Sequence, residues 1–165
     1  MFRTDTDVNA PAYTDKTPSW HRRRESPKRD EAVMPLADES RPVILLVEDT
    51  EETRNLLEKM LKQDGYFVDL ARHEEDAIIR ARSRSPDLIL ISLDLRLEQL
   101  VATAQRIRDQ ANLAPKVAVV IFCVSTIPEG AECEVRDNIH ATRPDNFDQL
   151  RYFLHQLLRT RLPRR

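Results

Sequence analysis

The chain has 165 residues, of which 26 are lysine or arginine and 28 are aspartate or glutamate, giving a formal net charge of −2. A charge so close to zero creates no overall field toward nucleic acid or a membrane surface, and we expect neither as a partner. The only glycines are Gly65 and Gly130, so the sequence lacks the glycine-rich loops that cradle phosphates in nucleotide-binding proteins.

The cysteines and the short apolar runs indicate a soluble, cytoplasmic protein. Cys123 and Cys133 are too few for a disulfide framework, and their spacing is not that of a metal site. The longest apolar stretch, residues 117–124, is far shorter than the roughly 20 residues that cross a bilayer. The N-terminus carries no apolar signal-peptide region.

The two ends of the chain differ in composition from its middle. Residues 1–41 are rich in proline, aspartate, threonine, serine and arginine and show no periodicity, which predicts a disordered N-terminal tail. A basic cluster at 21–29 is balanced by nearby acidic residues, so it does not indicate a nucleic-acid contact. Residues 161–165 form a short basic C-terminal tail, and a single folded domain is expected at 42–160.

From Pro42 onward, short apolar runs alternate with segments of helical periodicity. The apolar runs predict five strands, at residues 43–47, 66–70, 88–93, 117–124 and 138–142. The periodic segments predict helices from Thr50 to Gly65, at 73–83, at 98–111 and beyond Asn146. Thr50 offers a capping hydroxyl at the start of the first helix, and Gly65 suits the left-handed position that ends it.

One segment breaks the alternation. Residues 126–137 contain Pro128, Gly130 and many charges, which predicts a loop or one short helix before the fifth strand.

Strands that alternate with helices predict an α/β fold with a doubly wound, five-stranded parallel sheet. Right-handed crossovers give the flavodoxin-like strand order 2-1-3-4-5, with helices on both faces. In such a sheet the functional site lies at the carboxyl ends of the strands.

Polar residues follow three of the predicted strands at that edge. Glu48 and Asp49 follow the first strand, Ser92 and Asp94 end the third, and Arg143 ends the fifth. Clustered carboxylates repel each other and commonly hold a cation, and oxygen ligands favour magnesium over zinc. Glu48, Asp49 and Asp94 therefore form a candidate acidic pocket.

Three segments of the chain resemble the receiver domain of bacterial response regulators. They are ILLVEDTEETRNLLEKMLKQDG at 44–65, PDLILISLDLRLEQLVATAQRIR at 86–108 and ATRPDNFDQLRYFLHQLL at 141–158. The resemblance covers nearly all of residues 43–160. It implies a module of two-component signalling that receives a phosphoryl group on an aspartate from a sensor histidine kinase.

The resemblance places departures at the positions that matter most for this chemistry. An ungapped alignment puts Ser92 at the phosphoacceptor position. Arg143 replaces the lysine of the family, which makes it the phosphate-contact position that the resemblance implies. The switch positions fall on Cys123 or Ser125 and on His140, and the fourth helix is shortened. A rival alignment makes Asp94 the acceptor, although residues two apart on a strand are separated by roughly 6.6 Å.

These departures predict a receiver-like module with impaired or no aspartyl phosphorylation, which acts through protein contacts and is not an enzyme. Glu48 and Asp49 should bind Mg²⁺ weakly, because serine brings no charge to the site. Arg143 is expected to pair with one of the pocket carboxylates and close the pocket. The alternatives are an orthodox single-domain response regulator phosphorylated on Asp94 and a small flavodoxin-like enzyme or ligand-binding protein.

The expected partners are a sensor histidine kinase or another signalling protein. A homodimer is also expected, through the fifth strand and the last helix. Arg143 and His140 belong to that face, and Arg151, His155 and Arg159 recur along the helix as a basic stripe.

Overall fold

The computed structural model describes residues 41–122 and 125–160, which form six strands and four helices. The strands are β1 (Val43–Glu48), β2 (Phe67–Ala71), β3 (Leu88–Ser92), β4 (Ala118–Phe122), β5 (Ala131–Arg136) and β6 (Ile139–Arg143). The helices are α1 (Glu51–Gln63), α2 (Glu74–Ser83), α3 (Leu97–Gln110) and α4 (Phe147–Arg159).

All six strands belong to one sheet, in the order β2-β1-β3-β4-β6-β5. The five neighbouring strands β2, β1, β3, β4 and β6 pair in parallel. This confirms the doubly wound parallel sheet that the alternating pattern predicted. Strand β5 pairs antiparallel with β6 and forms the outer edge.

Both faces of the parallel sheet are covered by helices, which explains why its strands are continuous apolar runs. Leu45 and Val47 of β1 pack with α2 and α3, whereas Ile44 and Leu46 pack with α1 and α4. Asn146 caps the last helix, because its Oδ1 accepts a hydrogen bond from the Gln149 N–H at 3.0 Å.

The prediction of a loop or short helix was wrong for residues 131–136, where the structure has strand β5. No helix lies between β4 and β6 in the part of the chain that the structure describes. A two-residue turn makes the hairpin, since Arg136 lies opposite Ile139. Asp137 and Asn138 between them have φ of 25° and 65°, a region that these two residue types tolerate better than most.

Several sequence predictions fall where the structure is not described. The N-terminal tail up to residue 40, the C-terminal tail at 161–165 and the switch position Cys123 lie outside the described residues. Within the described ranges, no helix is both long and apolar enough to cross a membrane.

Candidate functional site

An open cleft of about 940 Å³ lies at the carboxyl ends of β1, β3 and β4, where the doubly wound fold predicts a site. The segments that follow β1 and β3, together with the starts of α1 and α3, form most of its wall. Its lining includes Glu48, Asp49, Thr50, Thr53, Ser92, Asp94, Arg96, Gln99, Ser125 and Thr126.

Glu48 and Ser92 are brought together at the floor of this cleft. They are Cα partners on the adjacent strands β1 and β3, and the Ser92 hydroxyl donates a hydrogen bond to the Glu48 carboxylate. The Thr50 N–H donates to Glu48 Oε1 at 2.8 Å. Glu48 is only 3% exposed, and its burial raises the pKa of its carboxyl, although both hydrogen bonds act in the opposite direction.

Asp49 and Asp94 differ from Glu48 because both are exposed to solvent. The Asp49 Oδ1 accepts a hydrogen bond from the Thr50 hydroxyl at 3.4 Å. That hydroxyl makes no capping bond to α1, contrary to the prediction. Asp94 lies two residues beyond Ser92, in the bend before α3.

The donor set fits a divalent cation poorly. Mg²⁺ is usually held by one or two carboxylates and several waters. Glu48 is already occupied by Ser92 and Thr50, and burial disfavours its charged form. In the described part of the chain, no group of three or more histidine, cysteine, aspartate or glutamate residues is placed to hold a metal ion.

Arg54 is a site residue that sequence reasoning missed. Its guanidinium donates from Nη1 to the Glu48 carbonyl at 2.9 Å and to the Asp49 carbonyl at 3.4 Å. It is 6% exposed, so the cation ties the β1–α1 turn from inside the protein. The available signal was its phase, because Arg54 precedes Leu57 and Leu61 at helical spacing on the buried face of α1.

Arg143 does not enter the cleft. It ends β6 as predicted, but its Nη1 donates to the Ile127 carbonyl at 3.4 Å. Between the residues that the structure describes, no ion pair joins Arg143 to Glu48, Asp49 or Asp94. The expected closure of the pocket by this arginine is therefore not formed.

The two described switch positions lie apart from each other. Ser125 is exposed and lines the cleft. His140 is half-buried against α4, where its ring meets the Phe153 ring edge-to-face at a centroid distance of 5.7 Å. The His140 Nε2 lies 3.2 Å from Asn138 Oδ1.

The predicted basic stripe on the last helix is interrupted by an ion pair. Arg151 donates to both carboxylate oxygens of Asp64, from Nε at 2.8 Å and from Nη2, and also to Asp148. These carboxylates raise the pKa of the Arg151 guanidinium. Arg151 therefore joins α4 to the end of α1, and only His155 and Arg159 of the stripe are exposed.

Comparison with known protein families identifies this arrangement. A model of the response regulator receiver domain matches residues 44–139. The chain belongs to this family. The receiver assignment covers every strand of the parallel sheet up to the start of β6.

A curated relative of this receiver is distant in sequence. A protein-glutamate methylesterase/protein-glutamine glutaminase from Halalkalibacterium halodurans is 29% identical over 96 residues, which is 57% of this chain and 26% of that protein. This chain therefore spans about a quarter of the length of that relative.

Solved receiver structures share the fold at low sequence identity. A sensor protein from Polaromonas sp. JS666 has a TM-score of 0.58 at 19% identity, covering 73% of this chain and 98% of that one. A two-component response regulator from Clostridium difficile has a TM-score of 0.56 at 19% identity, covering 75% and 100%. The receiver domain of a Pseudomonas aeruginosa sensor histidine kinase has a TM-score of 0.54 at 21% identity, covering 72% and 98%, and holds a magnesium ion in its active-site cleft.

Proposed function

We propose that this receiver acts in bacterial phosphorelay signalling through contacts with other proteins, and that phosphorylation at the usual strand-end position is impaired. One observation carries the proposal. At the end of β3, beside the buried Glu48 of β1, the chain has the hydroxyl of Ser92, and that hydroxyl is bonded to Glu48.

The chemistry of the two side chains supports this inference. A phosphohistidine donor transfers its phosphoryl group readily to a carboxylate, which is already anionic near neutral pH. A serine hydroxyl is neutral and needs a base. Glu48 accepts the Ser92 hydrogen bond, but the cation expected to grip the arriving phosphate is displaced, because Arg143 is bonded to the Ile127 carbonyl.

Weak magnesium binding follows from the same substitution. Replacing a carboxylate by a hydroxyl removes one negative charge from the cleft, and Glu48 is disfavoured as a charged ligand. Magnesium would then rely on exposed carboxylates such as Asp49, with water completing its shell.

The orthodox alternative is phosphorylation of Asp94. The observation in its favour is that Asp94 is exposed and lines the same cleft as Asp49. Its position two residues beyond the end of the β1–β3 pairing places it in the bend rather than on the strand.

A phosphodonor experiment separates the two proposals. The full chain and its Ser92→Ala, Asp94→Asn and Ser92→Asp variants are incubated with acetyl phosphate and Mg²⁺, and the phosphorylated fraction is measured by mass spectrometry. We expect no phosphorylation of the natural chain, and tighter Mg²⁺ binding by Ser92→Asp in a calorimetric titration. Phosphorylation that survives Ser92→Ala and disappears in Asp94→Asn would establish the orthodox alternative instead.

The partners are proposals as well. A sensor histidine kinase or another signalling protein is the proposed partner, and a homodimer would use the exposed side of α4, where Phe147 and Tyr152 are exposed apolar residues. We propose cytoplasmic signalling without enzymatic activity for this chain. The methylesterase activity belongs to a relative of which this chain matches only a quarter.

A further inference from the structure

Strand β5 is the outer edge of the sheet and is exposed along almost its whole length. Five of its six residues are exposed, and Ala131 alone is half-buried. A strand with no buried face is held mainly by its backbone hydrogen bonds to one neighbour, here β6. Its other backbone side is available to a further strand.

The hydrogen bonds around β6 determine which residues of β5 face outward. The Arg143 carbonyl accepts from the Gly130 N–H on the β5 side, and the Asn138 carbonyl accepts from the Val119 N–H on the β4 side. Backbone groups alternate along a strand, so Ala141 and Arg143 face β5. Cys133, the Cα partner of Ala141, faces β6. The Ala131 carbonyl accepts from the Thr142 hydroxyl of β6, whereas the Ala131 N–H donates to the Pro128 carbonyl. The register shift of β5 lies beyond Glu134 and leaves this alternation intact.

Glu132 and Glu134 therefore direct their backbone N–H and C=O groups away from the sheet. In residues 41–122 and 125–160, none of these four groups has a hydrogen-bond partner. Edge groups of this kind are the ones that an added strand uses.

The side chains of the same two residues lie together on the α4 side of the sheet, opposite Thr142 and His140 of β6. The Glu134 Oε1 accepts the Asn138 N–H at 2.7 Å, and Gln149 donates to Glu132. Neither carboxylate has a lysine or arginine partner within the described ranges. Partial burial also raises the pKa of the Glu132 carboxyl, so a cation beside it would be favoured.

The charges argue against a second copy of this chain on that edge. A symmetric antiparallel pair that used the open groups would place Glu132 or Glu134 directly opposite Glu132 or Glu134 of the other copy. Like charges directly opposite each other across a strand pair are destabilising. The occupant must instead supply positive charge at alternate positions, on the same face as the two glutamates.

We propose that the outer edge of β5 is a docking strand for an extended segment of a partner protein that carries lysine or arginine at alternate positions. The segment pairs with the open backbone groups of Glu132 and Glu134 and places two basic side chains opposite the two carboxylates. This binding is independent of the cleft at β1 and β3.

The test uses the isotopically labelled full chain and a blocked peptide of about seven residues that alternates lysine and valine. We expect saturable binding, with new hydrogen-exchange protection at the amides of Glu132 and Glu134. The amide of Cys133 already bonds within the hairpin and serves as the internal control. A peptide of the same composition, ordered so that no two lysines are two residues apart, should bind about tenfold more weakly, because only one lysine can then lie opposite the glutamates.

Two variants separate the backbone from the charge. Glu132→Pro removes an outward N–H and no donor of the β5–β6 ladder, a position where edge strands tolerate proline. Glu132→Gln removes the charge and keeps the N–H. Both should weaken binding, and Glu132→Pro, which loses the charge as well as the N–H, should weaken it more. A peptide that is N-methylated at the bonding positions lacks the N–H donors for the open carbonyl groups of β5. It tests the same backbone pairing with the natural chain, even if the proline variant opens the hairpin.

The opposite results are equally distinct. Binding that is no weaker in Glu132→Pro than in Glu132→Gln and is unchanged with the N-methylated peptide, or protection that appears elsewhere, would overturn the docking strand and reduce the effect to charge attraction. Loss of phosphorylation chemistry at the cleft would leave this result unaffected.

Discussion

Strands β3 and β5 belong to one sheet, yet different forces hold them in place. Four of the five residues of β3 are buried between two helical layers. Strand β5 has no fully buried residue and pairs with β6 alone. Hydrophobic burial therefore stabilises β3, whereas a tight turn and the backbone ladder stabilise β5.

The difference assigns separate tasks to the two strands. A strand buried on both faces opens only with the whole domain, so β3 can hold Ser92 in fixed register beside Glu48. A strand with few buried contacts opens locally at low cost. That property makes β5 suited to exchanging neighbours and unsuited to positioning a reacting group.

The largest expected effect tests the burial contrast directly. Leu90→Ala in β3 removes a fully buried side chain and should lower the free energy of unfolding by about 2–5 kcal/mol. Val135→Ala in β5 is the matched control and should change it by less than about 0.5 kcal/mol. Urea unfolding of both variants measures the two values. Similar losses in both would show that β5 is part of the cooperative core.

A smaller effect is expected at the hairpin turn. Asn138 has a φ of 65°, and alanine there should cost about 1 kcal/mol more than glycine, because glycine adopts this backbone without strain. Both variants lose the bonds from the Asn138 side chain to the Pro115 and Lys116 carbonyls, so their difference isolates the backbone. Urea unfolding gives the cost, and exchange of the Cys133 amide locates it. Equal stability of the two variants would mean that the turn relaxes to another form.

The smallest expected effect is a pH-dependent change in stability at Glu48, the buried carboxyl of the cleft. Burial raises the folded-state pKa of Glu48 above the ordinary value of 4.5. Its contribution to stability is therefore complete below that value and is lost as the pH rises through the folded-state pKa. Glu48→Gln cannot ionise and can still accept from Thr50, so it should be more stable than the natural chain at pH 7.

The comparison of the same two proteins at acid pH completes this test. Below the ordinary pKa, the neutral glutamic acid resembles glutamine, and the stability difference should shrink toward zero. Chemical denaturation of both proteins from pH 4 to pH 8 measures it. A glutamine variant that is less stable at pH 7 would indicate that the ionised carboxylate is favoured in this site.

The contrast between β3 and β5 also explains what sequence could predict. The five parallel strands carry runs of buried apolar residues, so their pattern was sufficient to find them. The segment at 131–136 alternates Ala131, Cys133 and Val135 with charged residues, which is a strand pattern, but the pattern is short and almost all of its residues are exposed. The turn that makes it a hairpin depends on Asp137 and Asn138.

The site residues were likewise predictable only where the apolar pattern fixes their position. Register along β1 and β3 follows from the apolar pattern, which is why Glu48 and Ser92 could be expected near each other. The hydrogen-bond partner of Arg143 could not be predicted, because a long side chain can reach several acceptors. The acceptor, the Ile127 carbonyl, lies in the segment at 126–137 that was predicted to be a loop or short helix. Arg54 was missed because helical spacing alone does not separate a buried arginine from a surface arginine at the border of the apolar face.

The ion pair between Arg151 and Asp64 has a consequence for the order in which the domain is completed. It joins α4, the last described element, to the end of α1, one of the earliest. Leu57 and Leu61 of α1 share their apolar cluster with Leu150 and Leu154 of α4. A nascent chain that ends at β6 therefore lacks α4, and the apolar face of the sheet that α1 and α4 cover together is still partly exposed. Until α4 emerges and docks, the nascent chain is exposed to aggregation and to chaperones at that face.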